Sequence, residues 1–144
     1  MRHEYSCGAV LYERAPDGIY YILVADRNGK CGFPKGHRKK GEREVDTAKR
    51  EIFEETGAVV EIDEGFRTGT SYPLHRGGTK HVTYWVAEYR GGELQYPEGE
   101  ITGIYRLKFG DALNKLEFPN LESILRRANA YIRKKITASA EEKK

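Results

Sequence analysis

The chain is 144 residues long, the usual size of one domain, with 38% hydrophobic and 33% charged residues. That mixture fits a soluble globular protein and excludes a mainly disordered chain, and no apolar run approaches the ~18–20 residues of a membrane helix. Lysine and arginine (25) outnumber aspartate and glutamate (22), a net charge of +3 that suits an anionic small molecule and is far from a duplex-binding composition.

The start, Met1-Arg2-His3-Glu4-Tyr5, leads into no apolar core of a secretory leader. Ser6 to Glu13 and Ile19 to Ala25 are rich in Val, Ile, Leu and Tyr and read as two strands around a Pro16-Asp17-Gly18 turn. Asp26 to Gly32 reads as loop. Glu44 to Thr56 reads as a helix, because Val45, Ala48 and Ile52 share one stripe and Gly57 sits where a helix stops. Val59 to Ile62, Phe66 to Tyr72, Val82 to Arg90 and Ile101 to Leu107 read as strands, with a hairpin-like Gly91-Gly92 after the third. Asn120 is placed to cap a last helix whose stripe is Leu121, Ile124, Leu125, Ala128 and Ile132. Arg133, Lys134 and Lys135 suit that helix's C-terminal dipole. One domain is expected over residues 1–135, with 136–144 a charged tail and fraying from Lys134 onward. Cys7 and Cys31 have no metal-ligand spacing and form no disulfide framework, so they read as reduced thiols of a cytoplasmic protein. The pattern predicts a mixed α/β or α+β layered domain.

The chemistry concentrates in residues 36–58. On a helix, Glu51, Glu54 and Glu55 emerge on one side, one turn apart, largely away from the Val45–Ala48–Ile52 stripe. Such carboxylates repel one another. Arg50 offers one compensating charge, and a divalent cation with hard oxygen ligands offers more. A solvated acidic helix face has the same pattern. The tight turn Phe33-Pro34-Lys35-Gly36 precedes the helix and brings backbone carbonyls and a lysine to the same place.

Gly36, Glu42, Arg50, Glu51, Glu54, Glu55 and Gly57 match every fixed position of GX5EX7REUXEEXGU, the Nudix box. Ile52 fills the first aliphatic position, and Ala58, smaller than usual, the second. The chain thus resembles the Nudix hydrolases. The resemblance implies an α/β/α sandwich with a mixed sheet, the box forming a loop-helix-loop. It implies Mg2+ or Mn2+ held by Glu51, Glu54, Glu55 and the Lys35 carbonyl at Lys35-Gly36, with Glu42 close by through a bound water. Arg50 would orient Glu51. Glu51 is the first choice of general base, Glu100 the second, and Glu98 a rival to Glu100.

Outside the box, Phe33-Pro34-Lys35-Gly36-His37, Lys80-His81-Val82-Thr83-Tyr84-Trp85-Val86-Ala87 and the stretch Glu100 to Phe118 resemble diadenosine tetraphosphate hydrolases. The last stretch corresponds to their acid, strand, Glu-Ala helix and closing phenylalanine. Arg106 departs from it, standing where a tryptophan is expected. This resemblance implies phosphate binding by Lys35, Lys80 and His37, and stacking of a base on Tyr84 and Phe118. It implies a small nucleotide substrate, AMP and ATP as products, and a monomer or homodimer. Alternatives are the same chemistry on an RNA 5′ end, a diphosphoinositol polyphosphate, ADP-ribose or a nucleoside triphosphate, with Arg38-Lys39-Lys40 reaching distal phosphates. A non-catalytic nucleotide-binding module is the alternative of a different class.

Overall fold

Apolar residues alternate along the first strands, and the alternation sorts them onto two faces of one sheet. The computed structural model describes residues 2–142. Its strands are β1 (His3–Ala15), β2 (Gly18–Ala25), β3 (Cys31–Gly32), β4 (Lys35–His37), β5 (Val59–Pro73), β6 (Thr79–Gly91) and β7 (Gly103–Lys108). The helices are α1 (Glu44–Thr56), α2 (Phe109–Lys115) and α3 (Pro119–Glu142). The sheet order is β3-β2-β1-β6-β5, with β4 beside the start of β1 and β7 beside β2. β1 and β6 are parallel and the other pairs antiparallel, so the sheet is mixed.

Val10, Tyr12, Tyr21, Leu23, Val82 and Tyr84 face α2 and α3, where they meet Leu116, Leu121, Ile124 and Leu125. Their neighbours in sequence face the other way. Ala9, Leu11, Ile22 and Ala87 meet Ile52 of α1, and Cys7 and Trp85 meet Ala48. Helices therefore cover both faces, as an α/β/α sandwich requires. Gly57 ends α1 in the left-handed region (φ 76°), and its N–H donates to the Phe53 carbonyl at 2.8 Å.

Several local expectations need correction. The two strands expected between Val59 and Tyr72 are one, β5, whose register against β6 shifts between Asp63 and Thr68. Gly91-Gly92 makes no hairpin, because β7 pairs with β2 on the far side of the sheet. Asn120 does not cap α3. The helix starts at Pro119, whose missing N–H costs nothing in a first turn, and the Asn120 amide donates instead to Thr70 Oγ1 at 3.1 Å. Nor does α3 end at the basic run: Ile136 continues the apolar stripe onto the core, and no Gly or Pro follows to stop it. Lys135 pairs with Asp63 at 2.6 Å instead of facing a helix terminus. The tail expected to fray is thus helical through Glu142, and Lys143 and Lys144 lie outside the described residues. Both cysteines are free and buried, and burial pushes the Cys7 thiol up to about 11. Arg106, in the expected tryptophan position, lies 3.6 Å from the Tyr20 ring centre and 2.5 Å from Glu13, a cation–π contact in place of an aromatic one.

Candidate active site

The box folds around Arg50. Its Nε and Nη2 donate to the two oxygens of Glu42 at 2.8 and 3.0 Å, and Nη1 donates to Glu51 Oε1 at 2.6 Å and Glu54 Oε2 at 3.2 Å. Nη2 also reaches the His37 carbonyl at 3.0 Å, which ties α1 to β4. Arg50 thus makes the contact with Glu51 that an orienting role requires. Glu42 is held on the Arg50 side of the box. Arg50, with Thr47 Oγ1 at 2.7 Å and the Lys39 N–H at 3.2 Å, engages both its oxygens and holds its carboxyl down at about 2. Glu42 fastens the loop and the arginine.

Gly36 lies against Glu51. A Cβ there would overlap the Glu51 carboxyl group, so this glycine is set by close approach and not by its backbone angles. Lys35 offers its N–H to Glu55 Oε1 at 3.1 Å. Burial, reinforced by the charges of Glu51 and Glu100, pushes the Glu55 carboxyl up to about 7, while Lys35 pulls it down.

Among the described residues no three His, Cys, Asp or Glu side chains converge closely enough to hold a metal ion. Arg50 takes one oxygen each from Glu51 and Glu54. The donor set still fits a divalent ion: oxygens only, a half-buried carboxylate at Glu55 whose proton affinity is raised, and a second Glu51 oxygen turned toward Gly36.

The elevated Glu55 value makes a prediction about the metal-free protein. The folded state holds this proton more tightly than the unfolded chain. Its contribution to stability is therefore full below pH 4.5 and lost as pH rises through about 7. The shift corresponds to on the order of 3 kcal/mol. Glu42 works in the opposite sense but finishes titrating below this window. Urea midpoints in EDTA should fall between pH 5 and 7.5 for the parent protein and stay nearly level for Glu55→Gln. Parallel slopes would show that Glu55 is not the group responsible.

Beside the box opens a cleft of about 500 Å³, lined by Lys35, Gly36, His37, Glu55, Lys80, Glu100 and Phe118 among the expected residues. Lys80 is only 5% exposed, with Nζ 2.8 Å from His37 Nε2 and 3.7 Å from Glu4 Oε1. Glu100 faces the cleft, whereas its rival Glu98 does not line it. Arg38, Lys39 and Lys40 are exposed on the loop before α1, outside the cleft lining.

Tyr84 needs correction. It borders the cleft, but it is 1% exposed with its ring edge-on to Phe33, so it presents no face for stacking. Tyr72 is the exposed cleft tyrosine, at 43%, facing the same space as the 40%-exposed Phe118. Sequence reading passed over Tyr72 because nothing but alternation marks it; pairing with Lys80 across β5 and β6 brings it to the site. Ser6, Lys30, Thr70 and Asn120 also line the cleft and were not anticipated.

The NUDIX domain family model matches residues 2–128. This chain belongs to the Nudix family. The chain is 39% identical over 107 residues to an 8-oxo-(d)GTP phosphatase of Mycolicibacterium smegmatis, a match covering 74% of this chain and 32% of that protein. It thus spans only about a third of that relative's length. It is 32% identical over 139 residues to the mouse bis(5′-nucleosyl)-tetraphosphatase [asymmetrical], covering 88% of this chain and 94% of the relative. Among solved structures, a C. elegans Ap4A hydrolase binary complex superposes with a TM-score of 0.82 at 25% identity, over 90% of this Nudix chain and 98% of that one.

Proposed function

We propose that this Nudix domain is a metal-dependent hydrolase of dinucleoside polyphosphates, converting diadenosine tetraphosphate and water to AMP and ATP. One observation carries the reading: a single cleft joins the box, through Gly36 and Glu55, to buried Lys80, to Lys35 and His37, and to two exposed aromatic rings. A polyphosphate with a base at its end needs those features together. The near full-length match to the mouse tetraphosphatase supports the substrate class.

In this reading Glu51, Glu54, Glu55 and the Lys35 carbonyl would hold Mg2+ or Mn2+, which would supply positive charge to the phosphates and lower the pKa of the attacking water. The chain's own residues do the rest. Lys35 and Lys80 hold phosphate oxygens, and Tyr72 and Phe118 take a base on their faces. Arg50 fixes Glu51. Glu51, or else Glu100, takes the water's proton as the new P–O bond forms and the bridging P–O bond to the ATP leaving group breaks.

A second reading follows from the Mycolicibacterium relative, whose matched segment is the more similar one. Here the substrate is an oxidised purine nucleoside triphosphate, cleaved by the same box. A product assay with Mg2+ decides between them. Diadenosine tetraphosphate, 8-oxo-dGTP, ADP-ribose, dATP and 5′-triphosphorylated RNA are offered side by side and products separated by ion exchange. AMP plus ATP from the first, with little turnover of the rest, is the expected result. Preferential release of pyrophosphate or phosphate from 8-oxo-dGTP would replace it with the second reading. No turnover with Mg2+ or Mn2+ would favour the non-catalytic module.

A further inference from the structure

Ser6 is 2% exposed and lines the cleft. Among the described residues its Oγ is the one buried side-chain polar atom without a hydrogen-bond partner. An unpartnered hydroxyl in that position destabilises the protein, and alanine would fill it without that cost. The surroundings indicate what it is for. In the sheet, Ser6 lies between His37 of β4 and Val82 of β6, on the face that also carries Lys80. Lys80 and His37 meet at 2.8 Å within the same cleft. Glu4 Oε1 lies 3.2 Å from His37 Nε2 and 3.7 Å from Lys80 Nζ, and the ammonium keeps donors for a further acceptor; with a hydroxyl donor lining the same cleft, it matches an anionic oxygen better than a ribose or a base edge.

We propose that Ser6 is a substrate-binding residue whose hydroxyl donates to a non-reacting phosphate oxygen that the Lys80 ammonium also meets. This rests on the polyphosphate reading of the cleft. It makes Ser6 a determinant of phosphate-chain binding and not of the bond-breaking step, since Ser6 is on the sheet face away from α1, the helix that carries Glu51.

The test titrates inorganic tripolyphosphate calorimetrically into the full chain in EDTA, for the parent protein, Ser6→Ala and Ser6→Cys, with thermal melts of each. Both variants should bind roughly tenfold or more weakly, the loss of one hydrogen bond to a charged group. Both should melt at the same temperature as the parent or higher, because a buried unpaired hydroxyl has gone. A structural role for Ser6 would lower the melting temperature as affinity falls, and that pattern overturns the proposal. Unchanged affinity in Ser6→Ala overturns it too, as does a parent protein that binds no tripolyphosphate. If tripolyphosphate binds in a Ser6-dependent way but diadenosine tetraphosphate is not turned over, the phosphate contact stands and the hydrolase assignment falls.

Discussion

Glu51→Gln should reduce turnover of diadenosine tetraphosphate by roughly a thousandfold, with KM changed far less and the fold intact. The amide keeps the shape of the carboxylate but removes its charge and its basicity. Arg50 loses the shortest of its carboxylate contacts, 2.6 Å to Glu51, yet keeps both oxygens of Glu42 and one of Glu54. No buried guanidinium is stranded. The change also removes one of the charges that push Glu55 up, so like-charge repulsion in the box declines. These effects oppose each other on a partly solvated helix face, and the net stability change should stay within about 1 kcal/mol. The check is kcat and KM under saturating Mg2+, with melting temperature and circular dichroism as controls for folding. Activity within tenfold of the parent would remove Glu51 from the reaction and leave Glu100, which lines the cleft, as the base to test.

The box and its helix were legible because two signals coincided. The Ala48–Ile52 stripe has helical spacing and is fully buried, and Gly57 stands where only a left-handed residue ends the helix without strain. The main strands were legible from alternation, which also placed aromatics on both faces of β6. It does not say which face lies open; the stacking role that the resemblance implies for Tyr84 fails because α3 and Phe33 bury the ring. β3 and β4 escaped because two- and three-residue strands containing Gly and Lys carry no propensity; pairing with β2 and β1 creates them. Asn120 and the basic run at 133–135 illustrate the same limit at helix ends. Each has a valid local rationale, but Pro119 and the core contact of Ile136 decide where α3 begins and how far it continues. Within the box, the sequence showed three carboxylates on one side of α1. It did not show that Arg50 would gather Glu42, Glu51 and Glu54, leaving Glu55 half-buried and outside the arginine's reach.

Gly36→Ala should cost about a hundredfold in turnover, for a reason confined to one contact. The added methyl would occupy the space of the Glu51 carboxyl group. The backbone at Gly36 is poorly placed to retreat: it pairs with Cys7 of β1, the Lys35 N–H is held by Glu55, and the His37 carbonyl is held by Arg50. Glu51 must therefore swing aside, and a displacement near 1 Å at a reacting group is enough for a loss of ~10²-fold. The steric conflict should also destabilise the protein by about 1–3 kcal/mol. A double-mutant cycle isolates the cause. Glu51→Ala removes the carboxyl group that the methyl meets, so adding Gly36→Ala to that background should lower stability far less than it does in the parent. Urea denaturation of the four proteins measures this directly. An equal penalty in both backgrounds would place the strain in the β4 backbone and separate Gly36 from the positioning of Glu51.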